Sequence, residues 1–172
     1  MERCRGTSTS GLEKFIRAPC ITKALARKTL LHGYRTSEFR MKEIPIGACG
    51  VCTLEVKPEH LASSFKDSML PPILATPVMI MVMENAALNA IKPYLEPGES
   101  ALGTRVDIRH LAATPVGACI LGEAELTRVD GRRLEFTVRA TDATQEIGNG
   151  SHERTIVDVA RLSKRLDAKR AA

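Results

Sequence analysis

The 172-residue sequence has no Trp and only four Phe and two Tyr, 3% aromatic in all. A groove that stacks the bases of single-stranded nucleic acid needs rings, so that class of partner is excluded. Cysteine is sparse and odd in number, at positions 4, 20, 49, 52 and 119, and nothing reads as a secretory leader. A disulfide framework is therefore not expected, and a reducing compartment, the cytoplasm first, is. Cys49-Gly-Val-Cys52 has CxxC spacing but no second CxxC or HxxxH to complete a zinc set, so no metal is expected. Neither GxxxxGK[ST] nor GxGxxG occurs, and with them goes the expectation of a nucleotide cofactor. The longest uncharged stretch of the helical region, Met69 to Met83, is 15 residues with three prolines, short of the roughly 20 needed to span a bilayer. No membrane partner is expected, and there are no internal repeats.

Hydrophobic residues at 44% and charged residues at 26% describe an ordinary globular domain with length enough for a core. The net charge of +5 and pI of 9.1 would ordinarily suggest a polyanion as partner. Residues 1–40, however, hold nine Lys and Arg against three Glu, a net of +6, which leaves the other 132 residues at −1. Without that segment there is no electrostatic footprint for nucleic acid. Residues 1–40 are read as a basic extension, either disordered or a targeting peptide for organelle import, and residues 41–172 as the folded domain. Because strand and core periodicity begin only after Met41, a chain starting there is expected to fold and keep its activity; loss of soluble protein on that truncation would overturn the boundary.

Ile44 to Val56 has the β-branched content of a strand, interrupted at Gly47 and Gly50, and Glu59 to Phe65 suits a short helical turn. Thr76-Pro77 reads as an N-cap followed by Pro at the first helical position, and Val78 to Ile91 runs without a breaker until Pro93. Beyond Gly98 the period becomes two. Thr104, Val106, Ile108 and His110 should face the helix and Arg105, Asp107 and Arg109 the solvent. Val116 to Arg128 and Arg133 to Thr141 form further strands joined at Asp130-Gly131, followed by a strand over Glu146 to Asp158 and a helix over Ala160 to Lys169. A helix this apolar needs a sheet wrapped around it, so the class is α+β with the last four strands in antiparallel meander style.

Glu84 is the only charge between Asp67 and Lys92 and lies mid-helix, where a carboxylate is paired, hydrogen-bonded or protonated unless it occupies an exposed stripe with Asn85 and Asn89. His110 on an apolar face is a core histidine or a base, and the Thr76 hydroxyl is a helix cap or a nucleophile. Together the three supply the hydroxyl, carboxylate and imidazole of acyl transfer. The amides of Val78 and Met79, just inside the helix start, are candidates to hold an oxyanion. Thr76 and Glu84 are eight residues apart, about 12 Å of rise, so they cannot touch. Substrate, His110 or a second subunit has to bridge them.

The segments Leu74-Ala-Thr-Pro-Val-Met-Ile-Met-Val-Met-Glu-Asn-Ala-Ala87, Tyr94-Leu-Glu-Pro-Gly98, Gly103-Thr104, His110-Leu-Ala-Ala-Thr-Pro-Val-Gly117, Val129-Asp-Gly-Arg-Arg133 and His152-Glu-Arg154 resemble the hotdog-fold thioesterase family that includes the fluoroacetyl-CoA thioesterases. The resemblance implies a hotdog fold, a homodimer, and hydrolysis of an acyl-CoA thioester to acid and CoA by Thr76, Glu84 and His110, with Gly103 and Arg154 in substrate binding. In that scheme His110 is the base, Thr76 attacks or positions water, and Glu84 orients or charge-compensates the imidazole. Fluoroacetyl-specific members resemble one another in an aromatic lid before Leu-Ala-Thr-Pro, where this chain has Asp67 and Leu70 and its nearest aromatic is Phe65. That departure leaves the acyl group open. A non-catalytic acyl-CoA-binding module and an enoyl-thioester hydratase remain as alternatives.

Overall fold

The computed structural model describes residues 42–170; the extension over residues 1–40 lies outside them. Strand β1 (Cys49–Glu55) leads through a 3₁₀ turn (Pro58–His60) and the short α1 (Ala62–Phe65) to helix α2 (Thr76–Ile91), and a second 3₁₀ turn follows (Lys92–Tyr94). Strands β2 (Glu99–His110), β3 (Cys119–Asp130), β4 (Arg133–Thr141) and β5 (Glu146–Asp158) come next, and α3 (Val159–Arg170) closes the chain. The last two strands match the expected ranges; β1 starts later than expected because a turn at Gly47, with φ of +84°, precedes it.

The five strands form one antiparallel sheet in the order β1-β3-β4-β5-β2. Only β3-β4-β5 is a meander, the first of its turns carried by Gly131 with φ of +55°. The expectation that β2 continues it is corrected. Helix α2, about 24 Å long, carries the chain from the β1 edge to the opposite edge, and β2 enters there beside β5.

Val78, Met79, Val82, Met83, Ala86, Ala87, Ala90 and Ile91 of α2 are buried, adjacent pairs recurring every fourth residue to make one wide stripe. It packs mainly on β1 and β3. The approach is close because glycines face it: a Cβ on Gly50 would lie 2.3 Å from the Ala86 carbonyl oxygen and the Ala90 nitrogen, and one on Gly122 would lie 3.0 Å from the Val82 carbonyl oxygen. The interruption read in β1 is thus a helix-docking position. The expected helix-facing row of β2 reaches the helix only at its end, where Ile108 packs on the core and His110 meets Thr76; residues 102–107 are all exposed, Val106 by 43%, because α2 packs mainly on β1 and β3. No helix among the described residues is long and apolar enough to cross a membrane.

Candidate active site

Helix α2 begins at Thr76, one residue earlier than an N-cap threonine would allow, and its cap is Ala75. The Thr76 hydroxyl is engaged elsewhere, its Oγ1 lying 2.9 Å from Nδ1 of His110 at the end of β2. The capping role expected of it is corrected by that bond. The loop over residues 111–118 helps to place the pair, because the Leu74 amide donates to the Thr114 carbonyl and the Ala75 amide to that of His60, fixing the helix start. Nε2 of His110 is buried and has no hydrogen-bond partner among the described residues.

The oxyanion role expected of Val78 and Met79 is also corrected. Both amides donate to the Ala75 carbonyl, at 3.0 and 3.2 Å, and both residues are buried. Pro77 has no N–H, so among the described residues the first-turn amide left without an acceptor is that of Thr76 itself.

Glu84 joins a different group. Its Oε1 lies 3.4 Å from Nε2 of His152 on β5 and 4.0 Å from Nη1 of Arg154. Arg154 is buried and spends its fork on carbonyls, Nη1 donating to that of Glu84 at 3.1 Å and Nη2 to that of Ala101 at 2.6 Å. Gly103 completes the group from β2, where it pairs with Arg154; a Cβ on it would lie 2.3 Å from Glu84 Oε1 and 3.0 Å from His152 Cε1. Glu84 therefore stands in a niche that only glycine leaves open, with its side chain still 36% exposed. The carboxylate is paired, as a lone mid-helix charge must be, but it is less desolvated than the sequence suggested.

The structure thus brings Thr76 to His110, and Glu84 to Gly103 and Arg154, at two stations. They are about 12 Å apart along the helix and, from Gly103 to His110, roughly 20 Å along β2. Within one chain Glu84 does not reach His110.

His152 was not singled out from the sequence, and in the structure it is the imidazole beside Glu84. Only 1% exposed, it packs against Phe136 at 6.4 Å between ring centroids. Burial pulls its pKa below the usual imidazole value, against the opposing pull of the Arg105 carbonyl on Nδ1 and of Glu84. The unfolded chain therefore binds a proton at this histidine that the folded chain rejects, so stability is fully present above about pH 6.5 and falls as pH drops below it. Replacing His152 with Phe should flatten that part of the stability curve in urea titrations across pH; an unchanged slope would show that the acid sensitivity arises elsewhere.

The cysteines of the CxxC motif lie on β1, where i and i+3 point to opposite faces, and no cluster of three or more metal-ligating side chains occurs among the described residues.

The model of the fluoroacetyl-CoA-specific thioesterase family matches residues 56–160, which include every residue of both stations. The chain belongs to this family. A fluoroacetyl-CoA thioesterase of Streptantibioticus cattleyicolor is 43% identical over 102 residues, 59% of this chain and 73% of the relative. The solved fluoroacetyl-CoA thioesterase FlK is 35% identical with a TM-score of 0.70, covering 74% of this thioesterase and 98% of FlK. A thioesterase superfamily member from Thermus thermophilus is 30% identical, TM-score 0.71, over 76% of this chain and 96% of that one. This thioesterase therefore has the hotdog fold, a curled antiparallel sheet around one long helix, as the sequence resemblance implied.

Proposed function

We propose that this thioesterase hydrolyses an acyl-CoA thioester with Thr76 and His110 as its reacting pair. The observation that carries the reading is the 2.9 Å contact from Thr76 Oγ1 to His110 Nδ1, within reach for direct proton transfer. Nδ1 takes the hydroxyl proton as Oγ1 bonds to the thioester carbonyl carbon. The resulting oxyanion meets the Thr76 amide and the positive end of α2, the same arrangement in which a nucleophile's own N–H serves acyl transfer. Collapse breaks the C–S bond, and the imidazolium returns its proton to the leaving thiolate, giving CoA. Water, deprotonated by His110, then attacks the threonyl ester, and Thr76 leaves with a proton as the acid departs.

Two features support a homodimer in which the Glu84–Gly103–Arg154 station of one copy serves the Thr76–His110 pair of the other. His110 Nε2 is buried with no partner among the described residues. Strand β2 is an open edge carrying the exposed Leu102 and Val106, the kind of edge a second copy covers. Light scattering at micromolar concentration should give twice the 18.7 kDa chain mass; a monomer would remove the shared site.

Solved forms of FlK include a complex with fluoroacetate and CoA and a variant with acetyl-CoA. Here the segment before the helix presents Met69 and Leu70 as exposed side chains, with its exposed aromatic, Phe65, further back along the chain, which supports an acyl group not restricted to fluoroacetyl. Free thiol appearing from acetyl-, fluoroacetyl- and longer acyl-CoA is the test. Binding without thiol release would favour a non-turnover module, and water addition to an enoyl-CoA without thiol release a hydratase.

A further inference from the structure

His152 is held at both nitrogens. Its Nδ1 lies 2.9 Å from the Arg105 carbonyl oxygen, an acceptor only, so Nδ1 carries the hydrogen. Its Nε2 lies 3.1 Å from Arg154 Nη1, a donor only, so Nε2 offers its lone pair. These two contacts fit the neutral Nδ1–H form of the ring. The groups around it are Glu84 from α2, the Arg105 carbonyl from β2 and Arg154 on β5; Phe136 from β4 brings no charge, and Glu153 is turned to the other sheet face, between Arg105 and Arg133. With Nη1 shared between the Glu84 carbonyl and His152, and Nη2 on Ala101, Arg154 has one orientation.

We infer that His152 is a positioning residue of this thioesterase: as a neutral acceptor it locks the Arg154 guanidinium against α2, and so keeps the Glu84 carboxylate turned to the Gly103 niche, where it is open to substrate or a second copy. Protonation would place a second donor on Nε2 facing Nη1 across 3.1 Å. Arg154 would have to withdraw, and Nε2–H would bond Glu84 Oε1, 3.4 Å away. The station would lose the guanidinium's anchor and the free carboxylate together, by one proton that never enters the reaction.

The inference rests on the hydrolytic reading above for its kinetic part and on geometry alone for its spectroscopic part. In the substrate-free wild-type protein, long-range ¹H–¹⁵N correlations should find His152 as the neutral Nδ1–H tautomer at neutral pH. In rate measurements, the acid limb of log kcat/KM should steepen from one proton toward two as pH falls. His152→Gln, whose carbonyl oxygen reaches the place of Nε2 but cannot take up the proton, should abolish the steepening and recover most of the rate lost in His152→Phe. That loss should be up to about 100-fold, as for misplaced groups near a reacting centre, and should appear in kcat more than in melting temperature. An Nε2–H or charged ring at neutral pH, or the same acid limb in wild type and His152→Gln, would overturn the inference. Should His152→Phe fail to fold, the tautomer and the glutamine profile still decide; should no thioester be cleaved at all, the hydrolytic reading falls and the tautomer measurement decides alone.

Discussion

Replacing His110 with Ala is expected to lower kcat/KM by on the order of 100-fold or more, the usual size of general acid–base catalysis, with little change in melting temperature. The half-buried imidazole makes a hydrogen bond to Thr76 and no other among the described residues, and it packs at the edge of the fold, so few core contacts are lost with it. The threonine separates nucleophile from scaffold. Since the helix is capped without the Thr76 side chain, Thr76→Ala should keep the helix and lose turnover, while Thr76→Ser, which restores the hydroxyl, should recover most of it. Equal stability losses in both variants with unchanged hydrolysis would make the pair structural.

Replacing Arg154 with Met should be the most damaging change to the fold and should also remove activity. The guanidinium is buried, satisfies the carbonyls of Glu84 and Ala101, and is the cation nearest Glu84. Methionine fills similar space but strands those acceptors and the carboxylate together. Two buried carbonyls left without a donor cost about 1–3 kcal/mol each, together roughly 10 °C of melting temperature for a domain of this size. Arg154→Lys keeps the charge but not the fork, so it should recover less than half of that loss. Calorimetry beside thiol release checks both: a methionine variant as stable as wild type would show that the buried guanidinium is not what ties α2 to β5.

The parts of the fold that sequence made legible are those decided within a few residues. Alternation placed β4 and β5 to the residue, and Asp130-Gly131 gave their neighbour's turn. The position of β2 was not readable, because its apolar row looks the same whether it meets a helix or an open edge; only the crossing of α2 from one side of the sheet to the other decides that. The same nonlocality divides the site. Thr76 and His110 were placed together by chemistry and do meet, but Glu84 finds His152, which stood in a segment of the resemblance with no role attached to it. In the run His152-Glu153-Arg154 all three residues are buried, so the alternation that would have turned His152 inward does not stand out.

The contact of α2 with β1 and β3 divides the molecule into what substitution can reshape and what it cannot. Where Gly50 and Gly122 meet the Ala86, Ala90 and Val82 backbone, the surfaces in contact are main chain, and no exchange of helix side chains will widen the gap. A directed-evolution library spread over the whole domain should return the parent glycine at positions 50 and 122 almost without exception. Changes in acyl preference should accumulate instead between Phe65 and Leu70, where side chains already stand in solvent. For anyone re-engineering this thioesterase, the helix is a fixed datum and the segment before it is the adjustable jaw.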